Sequence, residues 1–127
     1  MTRLHGNILT PTGFVEGTLG FDSQGRIGGL MGTPLPEEDA RASAQPLILP
    51  GFIDLHVHGG GGRDVMEGGD AAARVAQRHA AHGTTALLAT TMTAPMADLE
   101  LAFQGVRAVC AEPPRHAARI LGVHLEG

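Results

Sequence analysis

The stretch Pro50 to Gly62, PGFIDLHVHGGGG, constrains this chain more than any other. Proline and glycine open it, a short apolar run follows, and four glycines close it. Side chains at i, i+2 and i+4 of a strand share one face. Asp54, His56 and His58 therefore fall on one face, and Ile53, Leu55 and Val57 on the other. Such a strand suits the wall of a β/α barrel, with its apolar row against helices and its polar row toward the barrel mouth. Imidazoles spaced roughly 6–7 Å along a strand can close on one metal ion. The glycines let the backbone turn away and leave space beside the metal. A bare His-x-His is also met as two polar residues at a strand end. The Pro-Gly start, the apolar row and the carboxylate two residues before the first histidine favour the metal reading.

The rest of the chain supplies a setting for that strand. Residues 1 to about 31 read as short antiparallel strands, over 4–9, 14–21 and 26–30. Asp22-Ser23-Gln24-Gly25 forms the turn between the last two. Residues 32–46 are polar, hold three of the eight prolines, and read as a loop with one helical turn at 37–42. The change in composition puts a domain boundary at 46–50. Past the glycines, 63–67 reads as a connecting loop; Asp64 and Glu67 either help order the glycine loop or, the favoured reading, are solvated charges. Asp70 suits a helix N-cap, 71–82 is an alanine-rich helix, and Gly83 lies just past its end. His79 and His82 on that helix read as surface or packing residues.

Residues 84–91, TTALLATT, read as a buried second strand between helices. Thr93 is the expected N-cap of the next helix, with Pro95 in its first turn. Leu99, Phe103, Val106 and Cys110 form its apolar stripe, and Glu112-Pro113-Pro114 stops it. Residues 119–126, RILGVHLE, are the third strand. Leu121, Val123 and Leu125 share the face toward the helices. Ile120, Gly122, His124 and Glu126 share the face toward the barrel interior. Right-handed crossovers set the three strands side by side and parallel, so Glu126 faces the same mouth as His56 and His58.

Two histidines and one carboxylate make a three-ligand set for zinc or iron(II) with coordination positions left open. A metal there lowers the pKa of bound water to about 7 and polarises a carbonyl. Hydrolysis of an amide or a related C–N bond is the natural reaction class. Taken alone, Glu126 reads as a strand-end acid paired with a loop base; its parity match with the first strand turns the reading toward metal. His124 either orients the glutamate by a hydrogen bond or fills the barrel.

PGFIDLHVHGGGG resembles the first-strand signature of the amidohydrolase superfamily. With the hairpin start, GTTALLATTMT and the closing GVHLEG, the likeness narrows to the deacetylase family that acts on N-acetylglucosamine 6-phosphate. The resemblance implies an α/β fold: part of a small antiparallel β-sandwich over 1–49, then the first three β/α units of a TIM-like barrel over 50–127. It implies Glu126 as the principal metal ligand, with His56 and His58 as ligands in members that keep both. One or two divalent ions, zinc or iron(II), would serve a complete site. The implied reaction removes acetate from the 2-acetamido group of an amino-sugar phosphate, in an enzyme that is a homodimer when complete. No aspartate here matches the family's general acid and base, which is expected beyond Gly127. The chain is therefore expected to be an N-terminal portion that is inactive alone. Other readings stay open: another amidohydrolase such as a deaminase or cyclic amidase, a non-catalytic metal-binding or interaction module, or a small α/β domain without metal.

Composition narrows the partners. A net charge of −4 argues against a phosphate-backbone partner. The absence of Trp and Tyr removes the usual base-stacking platforms. No run approaches the roughly 20 apolar residues of a membrane span, and the N-terminus lacks a signal-peptide core. The single cysteine, Cys110, fits a reducing compartment. The expectation is a cytoplasmic protein with neither nucleic-acid nor membrane partners.

Overall fold

A computed structural model describes residues 2–126. The chain divides into two compact units, Met1–Pro50 and Gly51–Gly127.

In the first unit, β1 (Arg3–Thr10), β2 (Gly13–Phe21) and β3 (Ile27–Leu35) form an antiparallel meander. Helix α1 (Glu37–Ala42) follows, and β4 (Leu47–Ile48) returns parallel to β1. The sheet order is β3-β2-β1-β4. Asp22 makes the second hairpin turn: its Oδ1 accepts from the backbone N–H groups of Gln24 and Arg26 at 2.8 and 2.9 Å. Residues 32–35, expected as loop, are strand. Pro34 lies opposite Val15, which is tolerated because β3 is at the sheet edge. Ile8, Phe14, Leu19 and Ala40 form the core of this unit.

The second unit starts with β5 (Phe52–Val57). A short hairpin follows, β6 (Gly59–Gly60) and β7 (Arg63–Asp64), then a 3-10 turn over Val65–Glu67. The hairpin turns on Gly61 and Gly62, with φ of 64° and 79°. Positive φ at both central residues is the demand of a type I′ turn, and glycine meets it without strain. Helix α2 (Ala71–Ala80), β8 (Thr84–Thr90), α3 (Met96–Ala111) and β9 (Arg119–His124) complete the unit. The three long strands are parallel in the order β5-β8-β9. Leu87 and Ala89 of β8 sit at the centre of the core, against Val75 and Ala76 of α2 and Ala102, Val106 and Val109 of α3.

Several local expectations are corrected. Asp64 and Glu67 are not merely solvated. Asp64 accepts from Met66 N–H at 2.8 Å and Glu67 accepts from Asp64 N–H at 2.7 Å, a capping box on the 3-10 turn. Asp70 stands at the α2 N-cap position but makes no capping bond; Arg74 and Arg63 draw its carboxylate away. Pro95, not Thr93, is the N-cap of α3. The buried face of α3 is Ala102, Gly105, Val106 and Val109, and Cys110 is exposed. The rotation has a steric cause. A Cβ on Gly105 would lie 3.1 Å from the Gly69 carbonyl oxygen, so the smallest face of α3 must meet that loop.

Strand alternation also breaks twice. On β9, Leu87 pairs with Ile120 but Leu88 pairs with Gly122, leaving Leu121 as an extra residue. Ile120 is therefore in the core and Leu121 is 52% exposed, the reverse of the expected faces. Val123 packs on the core beyond the bulge, so the faces expected for the strand end are restored. On β5, Asp54 pairs with Leu87 and Val57 with Ala89, three steps against two. Of the expected aliphatic row only Val57 is buried, while Ile53 and Leu55 are about 60% exposed.

Candidate metal centre

The C-terminal ends of β5 and β9 bring His56, His58 and Glu126 together. His56 Nε2 and His58 Nε2 are 2.9 Å apart. One Glu126 carboxylate oxygen lies 3.3 Å from the first and 3.1 Å from the second. All three side chains are partly exposed, so the cluster is open to a ligand.

The central strand sets this geometry through Thr90 and Thr91, both fully buried. The β5 bulge frees two backbone groups from the ladder. Val57 N–H donates instead to the Thr90 hydroxyl at 2.9 Å. The Leu55 carbonyl lies 3.0 Å from His124 Nδ1. The Thr90 carbonyl lies 3.2 Å from His58 Nδ1. On the other side, Thr91 N–H donates to the His124 carbonyl at 3.1 Å, and its hydroxyl accepts from Glu126 N–H at 3.4 Å. Two adjacent threonines thus fix both flanking strand ends.

A carbonyl oxygen only accepts, so His58 Nδ1 is the donor to Thr90. In the neutral ring its Nε2 then carries a lone pair. That lone pair points into a cluster already holding a carboxylate oxygen and a second imidazole nitrogen. Such a donor set is closed by a shared proton or by a cation. Its spacing fits a cation. Ligands about 2.05 Å from one ion stand about 2.9 Å apart at right angles and about 3.3 Å apart at the tetrahedral angle. The three observed separations span that range.

Other expected residues fall elsewhere. Asp54 stays outside the cluster and accepts from His56 N–H at 3.1 Å. His124 does not bond Glu126; its Nδ1 goes to Leu55, and its ring meets that of His56 edge-on at 4.8 Å. His79, read as surface or packing, binds the Gly59 carbonyl through Nε2 at 3.0 Å and so anchors the glycine hairpin to α2. Sequence pattern alone does not place Thr90 and Thr91 at the site. The signal was there, as a pair of hydroxyls ending an otherwise apolar central strand. Beyond the glycines, Arg63 bridges Glu67 and Asp70. Glu67 is held below its ordinary range chiefly by the Asp64 N–H and then by Arg63. Asp70 is lowered chiefly by its hydrogen bond from Arg74.

No protein-family model matches the chain. Individual proteins do. It is 36% identical over 93 residues to the N-acetylglucosamine-6-phosphate deacetylase of Bacillus subtilis (strain 168), covering 71% of this chain and 24% of that protein. With the enzyme of the same name from Vibrio furnissii it shares 42% over 91 residues, 68% of this chain and 23% of that one. With an N-acetylgalactosamine-6-phosphate deacetylase from Escherichia coli O157:H7 it shares 36% over 95 residues, 74% of this chain and 25% of that one. The N-acetylglucosamine-6-phosphate deacetylase structure from Thermotoga maritima superposes with a TM-score of 0.78 at 26% identity, over 99% of this chain and 32% of that chain. A variant of the Mycobacterium smegmatis enzyme, in complex with N-acetyl-D-glucosamine-6-phosphate, gives 0.69 at 32% identity over 97% and 31%. The chain is similar to the N-terminal region of these deacetylases. The resemblance read from PGFIDLHVHGGGG and GVHLEG is thereby borne out, as is the mixed α/β fold. The chain spans about a quarter of the length of the curated deacetylases it matches. Among the described residues no helix is long and apolar enough to cross a membrane.

Proposed function

We propose that this chain supplies the first part of the metal site of a sugar-phosphate deacetylase, with His56, His58 and Glu126 as ligands. The observation that carries the reading is the convergence of two imidazole nitrogens and a carboxylate oxygen within 3.3 Å. They converge at the C-terminal ends of parallel strands, where the active sites of β/α barrels sit. On this reading β5, β8 and β9 are the first three strands of such a barrel, and residues 1–49 are part of a β-sandwich domain. The donor set suits zinc or iron(II), one or two ions in a complete site. Such an ion, when bound, supplies Lewis acidity toward the acetyl carbonyl and lowers the pKa of water.

The residues of this chain hold and orient. Thr90 fixes the tautomer of His58, and Glu126 brings the compensating negative charge. The substrate is N-acetylglucosamine 6-phosphate or its galactosamine epimer, since relatives are named for each. The reaction releases acetate from the 2-acetamido group, in a cytoplasmic homodimer when complete. Among the described residues no aspartate joins His56, His58 and Glu126, so on this reading the chain alone binds metal without turnover.

Cobalt(II) or zinc titration of the purified chain by calorimetry tests the assignment. Binding that Glu126→Gln and the double change His56→Ala, His58→Ala each weaken at least about tenfold is expected. Binding unaffected by either change, or none in the wild type, overturns it. Acetate release above a metal-free blank, abolished by Glu126→Ala, would show instead that the chain is sufficient for catalysis.

A further inference from the structure

We infer that His124 is a positioning residue for His56, acting through the Leu55 carbonyl and through its ring edge. This rests on the metal reading above. The two histidines of the cluster are held differently. His58 is held by its own ring nitrogen on Thr90. For His56, Nε2 meets His58 Nε2 at 2.9 Å and the Glu126 carboxylate at 3.3 Å, and among the described residues no backbone group holds its ring. Its ring is otherwise placed by edge-on contacts with His58 and His124, each with centroids 4.8 Å apart. Its backbone stands in the β5 bulge, between Asp54 and Val57.

That bulge leaves a carbonyl to be satisfied next to His56, and His124 Nδ1 satisfies it across the width of β8. A carbonyl cannot donate, so Nδ1 carries the proton. One imidazole therefore ties the β5 backbone to β9 and sets the wall against which His56 packs. Thr90 holds the other end of the bulge through Val57 N–H. His124 does for His56 what Thr90 does for His58. A space-filling role for His124 requires neither the hydrogen bond nor the ring contact. A role in orienting Glu126 requires a contact that His124 does not make.

Three substitutions in the purified chain separate the parts. His124→Leu removes donor and aromatic ring. His124→Phe keeps a ring without the donor. His124→Asn keeps an N–H near the position of Nδ1. In the metal-free chain, amide hydrogen exchange at His56 and Val57 is expected to accelerate at least about tenfold with Leu and Phe and to stay near wild type with Asn. Cobalt(II) affinity is expected to fall about 10–100-fold with Leu, with Asn recovering most of it. Exchange and affinity unchanged by all three overturns the inference. A wild type that binds no cobalt defeats the metal reading, and the exchange measurement still decides whether His124 holds the bulge.

Discussion

Thr90 holds His58 by its carbonyl oxygen, 3.2 Å from Nδ1. Its hydroxyl, at 2.9 Å, takes the N–H of the residue before it, Val57. Thr90→Val keeps the shape and removes the acceptor. A buried N–H left without a partner costs about 1–3 kcal/mol. Urea denaturation should show that loss, and Thr90→Ser should recover more than half of it. Equal stability of the Val and wild-type chains would mean that the bulge is not held by this bond.

The candidate ligands were legible in the sequence because period-2 alternation and the C-terminal ends of strands are local signals. His56, His58 and Glu126 needed only the correct strand ends to be placed on one side. What was not legible was long-range register. The bulge at Leu121 reverses the faces of Ile120 and Leu121, yet no residue near it announces a bulge apart from Gly122. The expected stripe on α3 holds at Val106, is half-buried at Leu99 and Phe103, and loses Cys110 for a similar reason. Its rotation is set by Gly68 and Gly69, some thirty-five residues away, and helical periodicity carries no knowledge of what the helix meets. His124 was placed on the correct face, but its partner on β5 exists only because the β5 ladder slips.

Gly68 should be intolerant of any side chain. Its φ is 67° and its ψ −155°, a region that is essentially glycine's alone. An added Cβ would also lie 2.6 Å from Leu101 Cγ. Gly68→Ala is expected to destabilise by about 1–3 kcal/mol or more in denaturant titration. Gly105→Ala is the sharper test of packing. Alanine normally favours a helix interior by about 0.8–1.0 kcal/mol over glycine. Here three backbone atoms of the Gly68–Gly69 loop stand at 3.1–3.3 Å from the new Cβ. The expected sign is destabilising, and a stabilised Gly105→Ala chain would refute the close approach.

Acid should weaken the second unit through Glu67 and Asp70. Both carboxyls are lowered in the fold, Glu67 from an ordinary value of 4.5 and Asp70 from 3.8. A lowered folded value means that ionisation favours the folded chain. That contribution is complete above the unfolded values and is lost as pH falls through the folded ones. Melting temperature should therefore drop as pH is lowered from about 5 to about 3. Glu67→Gln keeps an acceptor for Asp64 N–H but loses the Arg63 pairing. Its melting curve should start lower and fall less, meeting the wild type in acid. Parallel curves would rule Glu67 out as a source of the acid sensitivity.

The β5 edge should make the chain associate. β5 and β9 bound the three-stranded sheet, and each edge offers unpaired ladder groups. On β5 those groups are flanked by Phe52, Ile53 and Leu55, which are 58%, 62% and 59% exposed. An apolar edge with open backbone groups is a template for pairing with another chain. Sedimentation velocity on the order of 100 µM should show species larger than the monomer. Leu55→Lys places a charge on that edge and should shift the distribution toward monomer without lowering helical content. A wild type that sediments as a single monomeric species at that concentration would show that the exposed β5 face is tolerated in solution, and the edge argument would fail.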